Sequence, residues 1–215
     1  MTINELFDLN KTITKDYLNK YKYPFEALDY INDIIINLSK NLDKDYLMIK
    51  ENVYAHKTAS ISRDVEIIGP CIIGENAVLR HNAFIRENVI IGNNAVIGNS
   101  CEIKNSIIFD NAEIPHFNYV GDSIIGFHAH LGAGAVTSNL KLDKSIVYIC
   151  GNEKINTNRR KVGAFIGDYA EVGCNSVLNP GSVIGKNTII YPLSSFRGVI
   201  DSNKIYKNGT IIDRK

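Results

Sequence analysis

His116 sits in the run Pro115-His116-Phe117-Asn118-Tyr119, one of five histidines in the 215-residue chain. An imidazole ordinarily titrates near neutrality, so a well-placed histidine can take the proton of an attacking nucleophile. Taken alone, such a side chain is more commonly a surface or core histidine with a structural hydrogen bond. Arg86 and Lys104 lie eighteen residues apart. If the chain repeats at that interval they stack on one face, and two stacked cations can clamp a phosphate; otherwise they are two solvated charges. Arg159-Arg160-Lys161 are three adjacent cations, ordinarily solvated but also suited to the phosphates of a coenzyme.

The elements that must carry these residues follow from a repeat. From Ile73 onward an apolar residue recurs every six positions: Leu79, Ile85, Ile91, Ile97 and Ile103. Four places after each comes a small residue (Ala77, Ala83, Val89, Ala95, Cys101), and Asn76, Asn82, Asn88 and Asn94 stand between. The pattern slips between Phe109 and Ile124, resumes at Ile125 and Leu131, and resumes again from Ile166 to Ile190. A period of six matches neither the 3.6 of a helix nor the strict alternation of a half-buried strand. It fits a short strand and a corner. The aliphatic residue points inward and stacks on its equivalent one coil away, while asparagine or glycine takes the positive φ at the corner. Three hexads close one coil, so the eighteen-residue spacing of Arg86 and Lys104 is one full turn.

The expected class is all-β: a left-handed parallel β-helix over residues 53–200 with an N-terminal α-helical arm over 1–52. Sixteen glycines all fall at or after Gly69. The stretch before them carries a stripe (Phe25, Leu28, Ile31, Ile35, Leu38, Leu42) at helical spacing, with Pro24 suited to a first turn. An excursion loop is expected at about 137–165, too long for a corner, and a tail or closing hairpin at 201–215. Lys and Arg number 24 against 23 Asp and Glu, which favours neither nucleic acid nor an anionic membrane. No apolar run approaches the ~20 residues that span a bilayer, and the N-terminus lacks a signal-peptide pattern. Cys71, Cys101, Cys150 and Cys174 have no CxxC spacing and read as reduced thiols of a cytoplasmic protein.

Glu102-Ile-Lys104, His116-Phe-Asn-Tyr119-Val-Gly121-Asp122, Leu131-Gly-Ala133-Gly134 and Asn139, in that register, resemble the glucosamine-1-phosphate acetyltransferase domain of the bifunctional UDP-N-acetylglucosamine pyrophosphorylase. The resemblance runs from about residue 80 to 190 and is closest to short relatives lacking the nucleotidyltransferase half. It supplies the left hand of the helix, and implies a trimeric acyltransferase moving acetyl from acetyl-CoA to an amino-sugar phosphate. It implies His116 as the base that deprotonates the sugar amine. Arg86, Lys104, Tyr119, His130, Asn139 and Lys161 would contact the sugar phosphate, and Ala133 and Cys174 the coenzyme. The Gly132–Gly134 pair would let the pantetheine arm run close to the backbone. His130 stands where the family has asparagine, Leu140 replaces an aromatic, and Cys174 replaces a serine. Arg197 and Arg214 both compete for the position of the family's C-terminal arginine.

Two other readings use the same fold. A γ-class carbonic anhydrase-like zinc enzyme would draw three ligands from His81, His116, His128 and His130 across subunits. A non-catalytic β-helix scaffold would leave Arg86, Lys104, His116 and Asn139 without a task. Uridylyltransferase activity is not expected from this chain, whose first 68 residues offer no glycine-rich nucleotide loop.

Overall fold

A computed structural model describes residues 1–214. The chain winds as a parallel β-helix with three faces, of nine, nine and seven strands respectively. The first face includes Cys71–Ile73, Val89–Ile91, Ser106–Ile108, Ile124–Ile125 and Ala164–Ile166. The second includes Val96–Asn99, Glu113–His116, His130–Leu131 and Glu171–Val172. The third includes Phe84–Ile85, Glu102–Lys104, Tyr119–Gly121 and Val136–Thr137. The aliphatic residue of each hexad is buried in the prism, from Ile73 through Ile103 and Ile125 to Ile200, with the small residues beside it. Asn76, Asn82, Asn88 and Asn94 turn the corners at φ of 53° to 63°. Asparagine is favoured there because its short polar side chain tolerates the left-handed region.

The slip in the repeat has a local cause. Ile73 pairs with Ile91 eighteen residues on, but Ile91 pairs with Ile108 and Ile108 with Ile125, each seventeen on. The missing residue is lost at the corner between the third and first faces, where Asn105 and Asp122 take positive φ. The excursion leaves from that same corner after Thr137 and returns at Ala164–Ile166. It carries an antiparallel hairpin, Tyr148–Cys150 with Lys154–Asn156.

The arm is not one helix over 25–42. Pro24–Tyr30 is a 3-10 helix and Ile31–Ser39 an α-helix. Phe25, Leu28 and Ile31 are spaced by three, the 3-10 period, and the spacing of four begins only at Ile31 to Ile35. Tyr46–Lys50 is already a strand, turned back on Val53–His56 as a hairpin at the edge of the first face. The helical segments and the excursion cover the outside of that face. Ile72, Ile90, Ile107, Ile124 and Phe165 point outward from the prism into a second core with Leu28, Ile31, Ile35, Val147 and Ile149. Asp168 fastens the arm: it accepts hydrogen bonds from the backbone N–H groups of Asp8 and Phe127 and pairs with Lys186 at 3.1 Å. The chain ends in a hairpin, Lys204–Lys207 with Thr210–Asp213, around Asn208-Gly209 at φ 52° and 79°. Among the described residues, no helix is long and apolar enough to cross a membrane.

Candidate active site

His116 ends the strand Glu113–His116 at the corner between the second and third faces. Its backbone N–H donates to Asn118 Oδ1 at 3.0 Å. Asn118 is buried, and its amide donates to the carbonyls of Gly132 (2.8 Å) and Ala135 (3.1 Å) in the next coil. One buried side chain therefore locks the turn that displays His116, and a buried amide is retained only when satisfied in this way. Asn118 was not singled out from the sequence; an asparagine at an inward-facing place in the repeat is the signal that could have found it. The His116 imidazole is exposed and, among the described residues, hydrogen-bonds to no side chain. Phe117 beside it takes φ 53° and is 62% exposed. That is the corner conformation of the whole β-helix, shared by Asn111, His128 and Tyr169, here occupied by an exposed aromatic ring.

The corner continues upward. His116 is level with Asn99 below, and the Gly134 N–H donates to its carbonyl. The Ala133 carbonyl accepts from Asn175, so Ala133 and Cys174 follow His116 along one edge. Gly134 holds φ 71°, and a Cβ on it would come 2.2 Å from Asn175 Oδ1. A Cβ on Gly132 would press on the Cys174 backbone. The Gly-Ala-Gly run is thus fixed by coil stacking.

On the third face, Glu102 is level with Tyr119 and Lys104 with Gly121. Arg86 Nη1 lies 3.0 Å from Glu102 and its Nε 3.7 Å from Glu87, which also faces Lys104 at 4.0 Å. The two cations are stacked in adjacent coils, but two carboxylates already match their charge. The hydrogen bond to Glu102 raises the guanidinium's pKa further. Tyr119 Oη accepts from Asn139 Nδ2 at 3.1 Å, and the same Nδ2 donates to Asp122 Oδ2 at 2.6 Å. A carboxylate can only accept, so the Asn139 amide orientation is fixed by Asp122. Burial, followed by the charges of Asp122 and Glu102, raises the Tyr119 phenol above its ordinary pKa.

Three residues lie elsewhere than the linear sequence suggests. His130 is on the second face, around the corner from Tyr119, with Nδ1 2.9 Å from Glu171 Oε2. Lys161 is exposed at the base of the excursion, bridged to Leu140. Arg159 does not join Arg160 and Lys161 at the surface. Its guanidinium turns inward to Asp29 of the arm and Asp122 of the third corner, so it is not free for coenzyme phosphates. His128 stacks on Tyr169 at the opposite corner, ring centroids 5.5 Å apart. Among the described residues, the one cluster of side chains spaced to hold a metal is Asp43, Asp45 and His56, remote from His116.

The structure thus defines a hexapeptide-repeat parallel β-helix with a polar site along its third face and the adjoining corner. The family described as the GMPPB C-terminal domain matches residues 67–159, under half of the chain. The bifunctional sugar-1-phosphate nucleotidylyltransferase/acetyltransferase of Sulfurisphaera tokodaii is 40% identical over 87 residues, covering 40% of this chain and 22% of its own. The bifunctional protein GlmU of Methanococcus maripaludis is 43% identical over 84 residues, 39% of this chain and 20% of its own. The chain spans about a fifth of the length of these curated relatives. Among solved structures, the UDP-N-acetylglucosamine acyltransferase of Campylobacter jejuni is 14% identical with a TM-score of 0.36, over 74% of this chain and 73% of that one. In sequence, the chain is similar to bifunctional nucleotidylyltransferase/acetyltransferases over two fifths of its length.

Proposed function

We propose that the chain transfers acetyl from acetyl-CoA to the amine of an amino-sugar 1-phosphate, of which glucosamine-1-phosphate is the first candidate. The observation that carries this reading is the adjacency of two coils. One presents Lys104; the next, seventeen residues on, presents His116 and Tyr119. In the proposed reaction the amine nitrogen bonds to the thioester carbon, the C–S bond breaks, and the amine proton passes to His116. The coenzyme supplies the activated acetyl group and leaves as the thiol, its sulfur taking the proton back from His116. Ala133 and Cys174 border the coenzyme on the edge above His116. Arg86 and Lys104 hold the sugar phosphate, which must draw them from Glu102 and Glu87. His130, on the second face, meets the substrate of a neighbouring chain in a homotrimer. That assembly would also cover Val136 and Val177, which lie partly exposed on the third face. Light scattering that gives a monomer at micromolar concentration would remove His130 from the site.

The direct test is thiol release from acetyl-CoA with glucosamine-1-phosphate and related amino sugars, with and without chelator. Turnover that a chelator abolishes and that ignores acetyl-CoA would refute the proposal. Arg86→Ala and Lys104→Ala are expected mainly to raise the KM for the sugar phosphate, about tenfold or more. Each removes a charge-assisted contact made in both ground and transition state, worth about 1.5–3 kcal/mol. An equal fall in kcat with KM unchanged would place both residues elsewhere in the mechanism.

The coenzyme position has an independent readout. Cys174 is exposed, Cys150 half-buried, and Cys71 and Cys101 buried. Burial pushes the Cys71 and Cys101 thiols up, away from the reactive thiolate. Iodoacetamide is therefore expected to label Cys174 first, and saturating acetyl-CoA to protect it. Labelling of Cys174 at the same rate with and without the coenzyme would exclude the edge above His116 as its seat.

A further inference from the structure

Asp122 is 4% exposed, carries no cation in direct hydrogen-bond contact, and is not among the residues expected to touch a ligand. Each of its oxygens does something different. Oδ2 holds the Asn139 amide, which in turn reaches Tyr119. Oδ1 accepts from Asn105 Nδ2 at 2.8 Å and lies 4.0 Å from Arg159 Nη2. Both of these partners also hold the N-terminal arm. Asn105 Nδ2 donates to the Leu28 carbonyl at 3.4 Å, and Arg159 Nη1, which has no hydrogen-bond partner among the described residues, pairs by charge with the Asp29 carboxylate. The arm is thus joined by two routes to the carboxylate that orients the site's amide.

The consequence is a fixed polarity at the site. With its NH2 group held between Asp122 and Tyr119, Asn139 can offer only Oδ1 to a ligand. Tyr119, accepting from Asn139, keeps its own O–H to donate. One donor beside one acceptor suits a group that both gives and takes a hydrogen bond, such as a sugar hydroxyl. A buried carboxylate that lost Arg159 would be left with less compensation in a low-dielectric setting and would draw its neighbours to new positions.

We propose that Asp122 and Arg159 are positioning residues through which the arm, at Leu28 and Asp29, fixes the Tyr119–Asn139 pair. The arm is then part of the site's framework as well as a cover for the first face. The catalytic consequence rests on the acetyl-transfer reading; the coupling itself does not.

The experiment uses full-length protein labelled at tyrosine Cζ, with the Tyr119 resonance assigned by its loss in Tyr119→Phe. Asp29 is 67% exposed at its side chain, so Asp29→Asn is a mild change that should leave the fold intact. Asp122→Asn, Arg159→Met and Asp29→Asn are expected to move that one resonance in a common direction. Lys40→Gln, which alters an arm lysine bonded only to Asn37, should not move it. In the transfer assay, Asp29→Asn and Arg159→Met should raise the sugar-phosphate KM about fivefold or more, the lower end of coupling between sites. The acetyl-CoA KM should hold, and Arg159→Lys should recover part of the loss. An unmoved Tyr119 resonance in folded Asp29→Asn and Arg159→Met would overturn the proposal even if wild type acetylates. A moved resonance in a protein that acetylates no amino sugar would sustain the coupling and defeat the proposed reaction instead.

Discussion

Replacing His116 by alanine should lower the rate of acetyl transfer by about 10²–10⁴-fold, the usual contribution of a positioned proton acceptor. The sugar-phosphate KM should change little, because Arg86 and Lys104 stand on the third face and make no contact with the imidazole. The structure makes this a clean experiment. The side chain is exposed and bonded to no other described side chain, and the turn is held through the His116 backbone N–H and the buried Asn118 amide. Alanine keeps both backbone groups, so the fold should survive and its stability should change by no more than the ~0.5 kcal/mol typical of surface substitutions. Asn118→Ala makes the contrast. It removes the hydrogen bonds to the His116 N–H and to the Gly132 and Ala135 carbonyls, together with the contact from the Cys101 thiol, and should lower stability and rate together. Full rate in His116→Ala with an accepted sugar would leave the resemblance speaking for fold alone.

The parts of this molecule that follow a period could be read from its sequence, and the parts made by chain segments meeting at a distance could not. The six-residue recurrence of Ile73, Leu79 and Ile85 gives the prism, and the asparagines give its corners. The slip after Phe109 is legible only as an irregularity. That it removes one residue at Asn105 and again at Asp122, both at the corner that later emits the excursion, requires the register of three faces at once. The arm's stripe is visible, yet its change from a spacing of three to a spacing of four separates 3-10 from α-helix and is easily taken as one helical pattern. Asn208-Gly209 is a strong hairpin signal that identifies the closing turn. Arg159 is the clearest case beyond reach. In sequence it belongs to a run of surface cations; in space the excursion folds back over the arm and buries that one guanidinium against Asp29 and Asp122. Burial of a charge is set by tertiary partners, which no local pattern records. The register that places Arg86, Lys104, His116, Tyr119 and Asn139 is legible through resemblance, whereas the contacts of Glu87 and Glu102 with the two cations, and of Asp122 with Asn139, appear only in the structure.

Gly98→Ala should be among the most damaging single-methyl changes in the chain, and should harm the site as well as the fold. Gly98 lies in Val96–Asn99 directly beneath Pro115, since Ile97 pairs with Ile114 and Asn99 with His116. A Cβ at Gly98 would fall 1.5 Å from the Pro115 carbonyl oxygen and 2.1 Å from its carbon. Neither is the end of a flexible side chain, so relief requires the strand Glu113–His116 to lift from its neighbour. Overpacking in a core typically costs about 1–3 kcal/mol, occasionally more, and a backbone clash belongs at the upper end. For a domain of this size about 3 kcal/mol corresponds to a fall in Tm of roughly 6–12 °C. His116 is the next residue along the displaced strand, and a misplacement of about 1 Å can cost about 10²-fold in rate. The rate should therefore fall even at temperatures well below the variant's own transition, where circular dichroism shows the β-helix intact. Gly209→Asn is the control. Its turn also has positive φ, but a Cβ there meets nothing within 4 Å, and asparagine tolerates the conformation. That variant should keep both Tm and rate. A Gly98→Ala protein with wild-type Tm would show that the strand carrying His116 can yield without penalty. One with lowered Tm but wild-type rate would show that His116 does not depend on the position of that strand, and would weigh against its role as the base.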